Sequence, residues 1–314
     1  MTNASGLENE LLARITVENP GRRITRVEGS RWGRLFLPAP EEAARRADRG
    51  LRVLCIGSWT LGFLALETLL SVEALRPGAI RLVGLVTDDP LDVDAKISMR
   101  KRFWRYYDEA EREAYEWGIL RRALSQGISC YTGEVKSGAF RELLTTWHPE
   151  AIVVAAFGQM IDEAIIAFPD YGIYNVHPSD LLHGHGAGPQ PWEELIARQA
   201  SCTRVTLHKV SPTIDGGAVV GESPEINVRL PDGTVSDDVR MIGEKTLVPV
   251  GPMVRELALA LVARKAGGLK GPLDALDFER IFGSDFKSRL LEPLAPPKRG
   301  HILPLPEGEE QYTV

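Results

Sequence analysis

The sequence predicts an α/β fold built on a doubly wound sheet that becomes mixed in its last third. Three observations carry this. Leu51 to Ile56 is a short, nearly continuous apolar run that stops at Gly57 and precedes an amphipathic stretch, Leu61 to Leu70. A buried strand, a glycine turn and a helix thus open the domain. Strand-length and helix-length segments then alternate up to residue 170, as a parallel sheet covered by helices on both faces requires. Beyond residue 170, two strand-like runs flank a short turn, which reads as an antiparallel hairpin.

Each element follows from its residues. Residues 1–50 form an N-terminal arm rich in Arg, Glu and Gly, with one alternating stretch, Arg34 to Leu37, closed by Pro38 and Pro40. A short helix, Glu41 to Asp48, follows, and the arm reads as a packing or dimerising extension, so a homodimer is one expected assembly. The organised domain, residues 51–266, continues with a strand at Ile80 to Val86 and a long charged helix from about Ser98 to Gln126. Next come a short strand, Ile128 to Tyr131, a helix, Phe140 to Trp147, and an apolar strand, Ala151 to Ala156. Gly172 to Val176 is a strand running into the loop His177 to Gly188, and Pro191 to Ala200 is a helix. Arg204 to Val210 and Ala218 to Val228 make the hairpin. Leu247 to Ala266 is a helix bent around Pro249 and Pro252. Residues 267–314, rich in Pro, Gly and charge, form a C-terminal extension of short helices and extended tail.

A net charge of −6 does not indicate a bulk polyanion partner, although a local basic patch stays compatible with it. Cys55, Cys130 and Cys202 match no zinc spacing and suit a reducing cytoplasm better than a disulfide framework. No apolar run is expected to be long enough to span a bilayer, and the polar start is unlike a signal peptide. The expected location is cytoplasmic.

The chemistry concentrates in Tyr174-Asn175-Val176-His177-Pro178-Ser179. Asn175 and His177, two positions apart, point to one side where an extended strand ends. Pro178 biases His177 away from helix, and ligands bind where strands of an open α/β sheet end. The glycine-rich loop 183–188 lets backbone approach a ligand closely. Thr213-Ile214-Asp215-Gly216-Gly217 puts a carboxylate in the hairpin turn. Acyl transfer to an amine needs a donor for the developing oxyanion and a group that manages the amine proton. An amide, an imidazole and a carboxylate supply both, and an adjacent Asp would favour the imidazolium.

Asn-x-His-Pro-Ser, a glycine-rich loop with a proline, and a Thr-x-His strand leading to Asp-Gly-Gly resemble the folate-dependent formyltransferases. Those include methionyl-tRNA, glycinamide ribonucleotide and amino-sugar N-formyltransferases. The similarity runs from about Leu51 to Gly267 and includes Ala155 to Met160. It implies a Rossmann-like, doubly wound domain and 10-formyltetrahydrofolate as formyl donor. By position, Asn175, His177 and Asp215 match the family's catalytic trio. Phe157, Gly158, Gln159, Met160 and Ile161, with Ser211, Thr213 and Ile214, match the segments that hold the pterin. His183 and Arg204 depart from the family pattern, which commonly has a proline and a glycine there.

The acceptor side rests on weaker signals. Ser58, after the first strand, could cradle a phosphate, although a simple tight turn explains Gly57-Ser58 as well. Arg100 to Tyr107 mixes cations with aromatics, so Arg102, Trp104 and Arg105 are candidate substrate contacts. The alternative is an amphipathic helix with its aromatics in the core and its cations solvated. His208 reads as a packing or hydrogen-bonding histidine. The histidines at 177, 183 and 185 invite a metal, but the sequence places no acidic or cysteine ligand beside them, so no metal is expected. The expected acceptor is a small amine, either an amino-sugar nucleotide or an amine of a siderophore or antibiotic pathway. A nucleic-acid partner is not expected, because the residues after Gly267 are few and the chain is acidic. The competing readings are a methionyl-tRNA formyltransferase and a folate-binding protein without catalysis.

Overall fold

The computed structural model describes residues 16–19, 24–26, 33–46, 48–90 and 104–295. In chain order the strands are β1 (Thr16–Asn19), β2 (Ile24–Arg26), β3 (Arg34–Phe36), β4 (Leu51–Gly57), β5 (Ile80–Val86), β6 (Cys130–Tyr131), β7 (Ala151–Ala155), β8 (Ile173–His177), β9 (Cys202–Thr203), β10 (Thr206–Lys209), β11 (Val219–Glu222) and β12 (Ile226–Asn227). Ten of them form one sheet in the order β1-β2-β3-β6-β5-β4-β7-β8-β10-β11, and β9 pairs with β12 separately. The run from β6 to β8 is parallel. The arm strands and the β10–β11 hairpin pair antiparallel, which makes the sheet mixed, as expected.

The chain lays β5 and β6 on one side of β4, then returns to lay β7 and β8 on the other. Between β4 and β7 the winding reverses, and the carboxyl ends of strands flanking such a point open a crevice. Gly57 stands opposite Ala155 there.

The helices are α1 (Pro40–Ala44), α2 (Trp59–Leu75), α3 (Glu109–Ser125), α4 (Gly138–Trp147), α5 (Glu163–Ile166), α6 (Pro191–Ala197), α7 (Val239–Thr246), α8 (Val250–Ala266) and α9 (Ser284–Leu291). Because side chains alternate along a strand, Val53 and Cys55 of β4 enter one core with α2, α3 and α8. Leu54 and Ile56 enter the other, with α4. Truncating a fully buried leucine such as Leu54 or Leu66 costs about 2–5 kcal/mol. On β8, Tyr174 and Val176 face the first core and Ile173 the second, so Asn175 and His177 share the face of Ile173.

Several expectations are revised. Helix α2 is buried nearly all round, wedged between the sheet and α8, rather than amphipathic. The long helix begins only at Glu109, because Asp108 caps it by accepting the Glu111 N–H at 2.8 Å. Before it lies a 3-10 turn, Trp104–Tyr106, and the remaining predicted turns, 98–103, lie outside the described residues. The last long helix does not bend at Pro249. It is two helices, α7 and α8, since proline has no N–H to continue the first and is placed naturally at the start of the second. By length and composition Val239–Ala266 is apolar enough to cross a bilayer, which corrects the expectation that no run is long enough. In the fold, Val250, Met253, Val254, Leu257 and Leu261 spend that apolar character in the protein core.

The second hairpin strand splits into β11 and β12, and α6 ends at Ala197. In the arm, α1 stops at Ala44, while Leu35 and Phe36 are buried where β3 pairs with β6. Arg34 reaches the buried Asp89 carboxylate at 2.7 Å, and Thr132 donates to the same oxygen at 2.9 Å. The arm strand thus packs as part of the sheet edge.

Candidate active site

At the carboxyl ends of β4, β7 and β8 lies a cavity of about 210 Å³. Asn175, His177 and Asp215 line it together, as do Phe157 to Ile161, Ser211, Thr213 and Ile214. Trp59, Leu61, Pro189, Trp192 and His208 also line it, and none of these is predicted from the sequence as a site residue. Trp59, Ala156 and Asp215 all hold positive φ values of 58°, 54° and 48°. Left-handed backbone at such residues is uncommon and costs about 1–3 kcal/mol each. Its concentration around one cavity marks a place where geometry outranks local comfort.

Strand register explains the first contacts. His208 of β10 stands directly across from Asn175 of β8. His208 Nδ1 lies 2.9 Å from the Lys209 carbonyl oxygen, which can only accept, so Nδ1 carries the proton. Its Nε2 then accepts from Asn175 Nδ2 at 3.1 Å. The other Asn175 N–H is directed to Asp215 Oδ1 at 3.3 Å. Thus both amide hydrogens expected to face an oxyanion are engaged within the site. His208 is the hydrogen-bonding histidine that the sequence allowed, but its partner belongs to the trio. A Thr-x-His strand opposite Asn-x-His was the available signal.

Asp215 sits on a turn made tight by Gly217, where an added Cβ would lie 1.7 Å from the Lys209 carbonyl oxygen. The carboxylate accepts the Gly188 N–H at 2.8 Å and stands 3.8 Å from His177 Nε2 and 3.5 Å from His208 Nε2. Burial alone would raise its pKa. The neighbouring His208 and His177 rings and the Gly188 amide outweigh that and hold it at about 2.

His177 is buried, and its Nε2–H donates to the Gly186 carbonyl at 2.8 Å. Burial lowers its pKa, and Asp215 and Gly186 offset only part of this. The expected imidazolium is therefore corrected: desolvation outweighs the carboxylate, and the resting ring is neutral.

Gln159 spans a gap in the backbone. Its Oε1 accepts the Val135 N–H and its Nε2 donates to the Gly133 carbonyl, both at 3.0 Å. This fixes the 157–161 segment as a rim, with Met160 and, across the cavity, Ile214 exposed.

The acceptor-side expectations fare unevenly. Ser58 is 3% exposed, and its hydroxyl donates to the Ala156 carbonyl at 2.6 Å. It is committed to joining β4 to β7 and is not free for substrate, which is the tight-turn reading. Arg105 is ion-paired with Glu193 of α6 and lies over the Tyr106 ring. Tyr107 packs edge-on against Trp59 at 5.9 Å between ring centroids. The aromatics thus join the core and the cation is at the surface, but on a 3-10 turn rather than a helix. Arg102 and the Trp104 side chain lie outside the described residues.

A family model for formyl transferases matches residues 129–250, which span β6 to α8 and hold Asn175, His177 and Asp215. Over those residues the chain is similar to the formyl transferase family. Relatives bearing the name methionyl-tRNA formyltransferase include one from Dictyoglomus turgidum, 34% identical over 148 residues, which are 46% of each chain. Another, from Chloroflexus aurantiacus, is 34% identical over 209 residues, 64% of this chain and 58% of its own. The chain thus spans about half the length of the curated relatives it matches. Among solved structures, a phosphoribosylglycinamide formyltransferase from Anaplasma phagocytophilum superposes with a TM-score of 0.50 at 15% identity, covering 74% of this chain and all of that one. That likeness concerns the fold, and it agrees with the Rossmann-like, mixed sheet.

Proposed function

We propose that this protein transfers a formyl group from 10-formyltetrahydrofolate to the amine of a small molecule, with Asn175, His177 and Asp215 as the catalytic residues. The observation that carries the reading is the convergence of an amide, a neutral buried imidazole and an ionised carboxylate in one cavity. A backbone rim at 157–161 and an exposed turn at 211–214 suit a flat heterocycle, which supports a reduced folate there. Bound at that rim, 10-formyltetrahydrofolate would supply the formyl group. Asn175 donates toward the acyl oxygen as charge develops on it, releasing its 3.3 Å bond to Asp215. His177, held by Gly186, keeps an unprotonated Nδ1. As the amine nitrogen bonds to the formyl carbon, Asp215 takes up its proton, directly or through water; the bond from that carbon to N10 of the donor then breaks and N10 receives the proton, leaving as tetrahydrofolate. No residue needs to become acylated.

A small acceptor is supported by the aromatic wall of Trp59 and Trp192 and by the pairing of Arg105 with Glu193. It would be an amino-sugar nucleotide or an amine from a siderophore or antibiotic pathway. The division into arm 1–50, catalytic domain 51–266 and extension 267–314 belongs to the same proposal. A second reading, formylation of a methionyl-tRNA, is favoured by the names of the relatives. The two separate by salt. A tRNA contact that neutralises several phosphates weakens by about 10³-fold or more between 50 and 200 mM salt. Formylation of a small-amine panel with shallow salt dependence is expected. Activity on charged initiator tRNA alone, with steep salt dependence, would overturn the acceptor assignment.

A further inference from the structure

A second cluster of ligating groups lies outside the cavity, on the loop that leaves β8. Asp180, His183 and Glu222 each place one ligand atom within 4.8 Å of the others. The sequence reading passed over Asp180, three residues before His183, and Glu222 is remote along the chain and enters from β11. The fold brings it in through Thr206, which stands opposite both His177 and Glu222 in the sheet. Thr206 Oγ1 donates to the Ser179 carbonyl at 2.6 Å, accepts the Leu181 N–H at 3.1 Å and stands 3.2 Å from Glu222 Oε1. One hydroxyl therefore positions both the loop and the carboxylate.

The loop and β11 thus bring two carboxylates, Asp180 and Glu222, beside one imidazole. Arg204 reaches the Ser223 carbonyl at 3.1 Å and Glu225 at 3.8 Å. His183 Nδ1 lies 2.7 Å from Asp180 Oδ1. A divalent cation would replace that hydrogen bond and neutralise both carboxylates at once.

We propose that Asp180, His183 and Glu222 bind a zinc-like divalent metal ion that clasps the 180–188 loop to β11. Zinc takes imidazole nitrogen and carboxylate oxygen at about 2.0–2.2 Å, with water completing four positions. The imidazole disfavours calcium and magnesium, which prefer oxygen ligands. The clasp touches no reacting group. It acts on the same loop that offers the Gly186 carbonyl to His177 and the Gly188 amide to Asp215. It is independent of which amine or donor the cavity takes.

The test is zinc(II) titration of the metal-stripped full chain by calorimetry, with cobalt(II) as a visible-absorption probe of the ligand field. Binding of one equivalent is expected with Kd in the micromolar range or tighter, and His183→Ala and Glu222→Gln should each weaken it by about 100-fold. Zinc should raise the melting temperature of the wild type and leave that of both variants unchanged. Both side chains are partly exposed, so circular dichroism should find the variants folded. Wild-type affinity weaker than about 1 mM, or unchanged affinity in the two folded variants, would overturn the proposal.

Discussion

Replacing Asp215 by asparagine keeps the shape of the side chain and removes its charge. Wild-type Asp215 accepts from Gly188 and from Asn175, at 2.8 and 3.3 Å. An asparagine can serve one of these with its oxygen but must present N–H groups to the other donor. Asn175 then loses the acceptor that fixes its orientation. Loss of one such preorganised element costs about 3–4 kcal/mol of transition-state stabilisation, so kcat should fall by about 10²- to 10³-fold. Stability changes too. The carboxyl titrates at about 2 against an ordinary 3.8, and at 1.36 kcal/mol per unit this is on the order of 2 kcal/mol. The side chain is only 12% exposed, so solvent screening discounts this little. A depressed acid contributes stability above its unfolded pKa and loses it as pH falls toward the folded one. The wild-type advantage in urea unfolding should therefore be flat from pH 7 to 5 and shrink below pH 4. Steady-state turnover and urea melts of both proteins measure the two effects. Turnover within threefold of wild type at every pH, with equal stability, would refute the network.

Other perturbations address the remaining parts of the site. His177→Ala and Asn175→Ala should each lower kcat by about two orders of magnitude while leaving donor affinity, read by fluorescence quenching, almost unchanged. Because burial lowers the His177 pKa from 6.5, the acid limb of the pH–rate profile should lie below that value, and the ring's stability contribution should fade only as pH drops through the same range. A limb above neutrality would contradict the neutral ring. Gly217→Ala, whose Cβ would meet the Lys209 carbonyl oxygen, should cost about 2 kcal/mol or more in unfolding free energy and lose activity with it. Arg105→Ala should raise the acceptor KM more than the donor KM, since it releases Glu193 beside Trp192; equal shifts would place Arg105 outside the acceptor path.

The parallel strands were legible because β4 and β7 are apolar on both faces and end at glycine or alanine. Asn175 and His177 were legible because alternation along β8 and Pro178 fix their direction. Three things were hidden. The neutrality of His177 depends on burial, which sequence spacing does not report, so the neighbouring carboxylate was given too much weight. The link from His208 to Asn175 depends on antiparallel register. Ser58 looked available because Ala156, the acceptor of its hydroxyl, is remote in sequence. Helix limits failed where caps and prolines, rather than hydrophobic period, decide them, at Asp108 and Pro249.

The central claim is that Asn175, His177 and Asp215 together move a formyl group from a folate to an amine. Its most direct test follows tetrahydrofolate by absorbance and the formylated amine by mass spectrometry in one reaction with 10-formyltetrahydrofolate and an amine panel. The account predicts equal amounts of the two products for one or more amines with the wild type, and loss of both in Asn175→Ala, His177→Ala and Asp215→Asn. Tetrahydrofolate release no faster than background with every acceptor, including charged initiator tRNA, would contradict it, as would equimolar products that persist in the three variants.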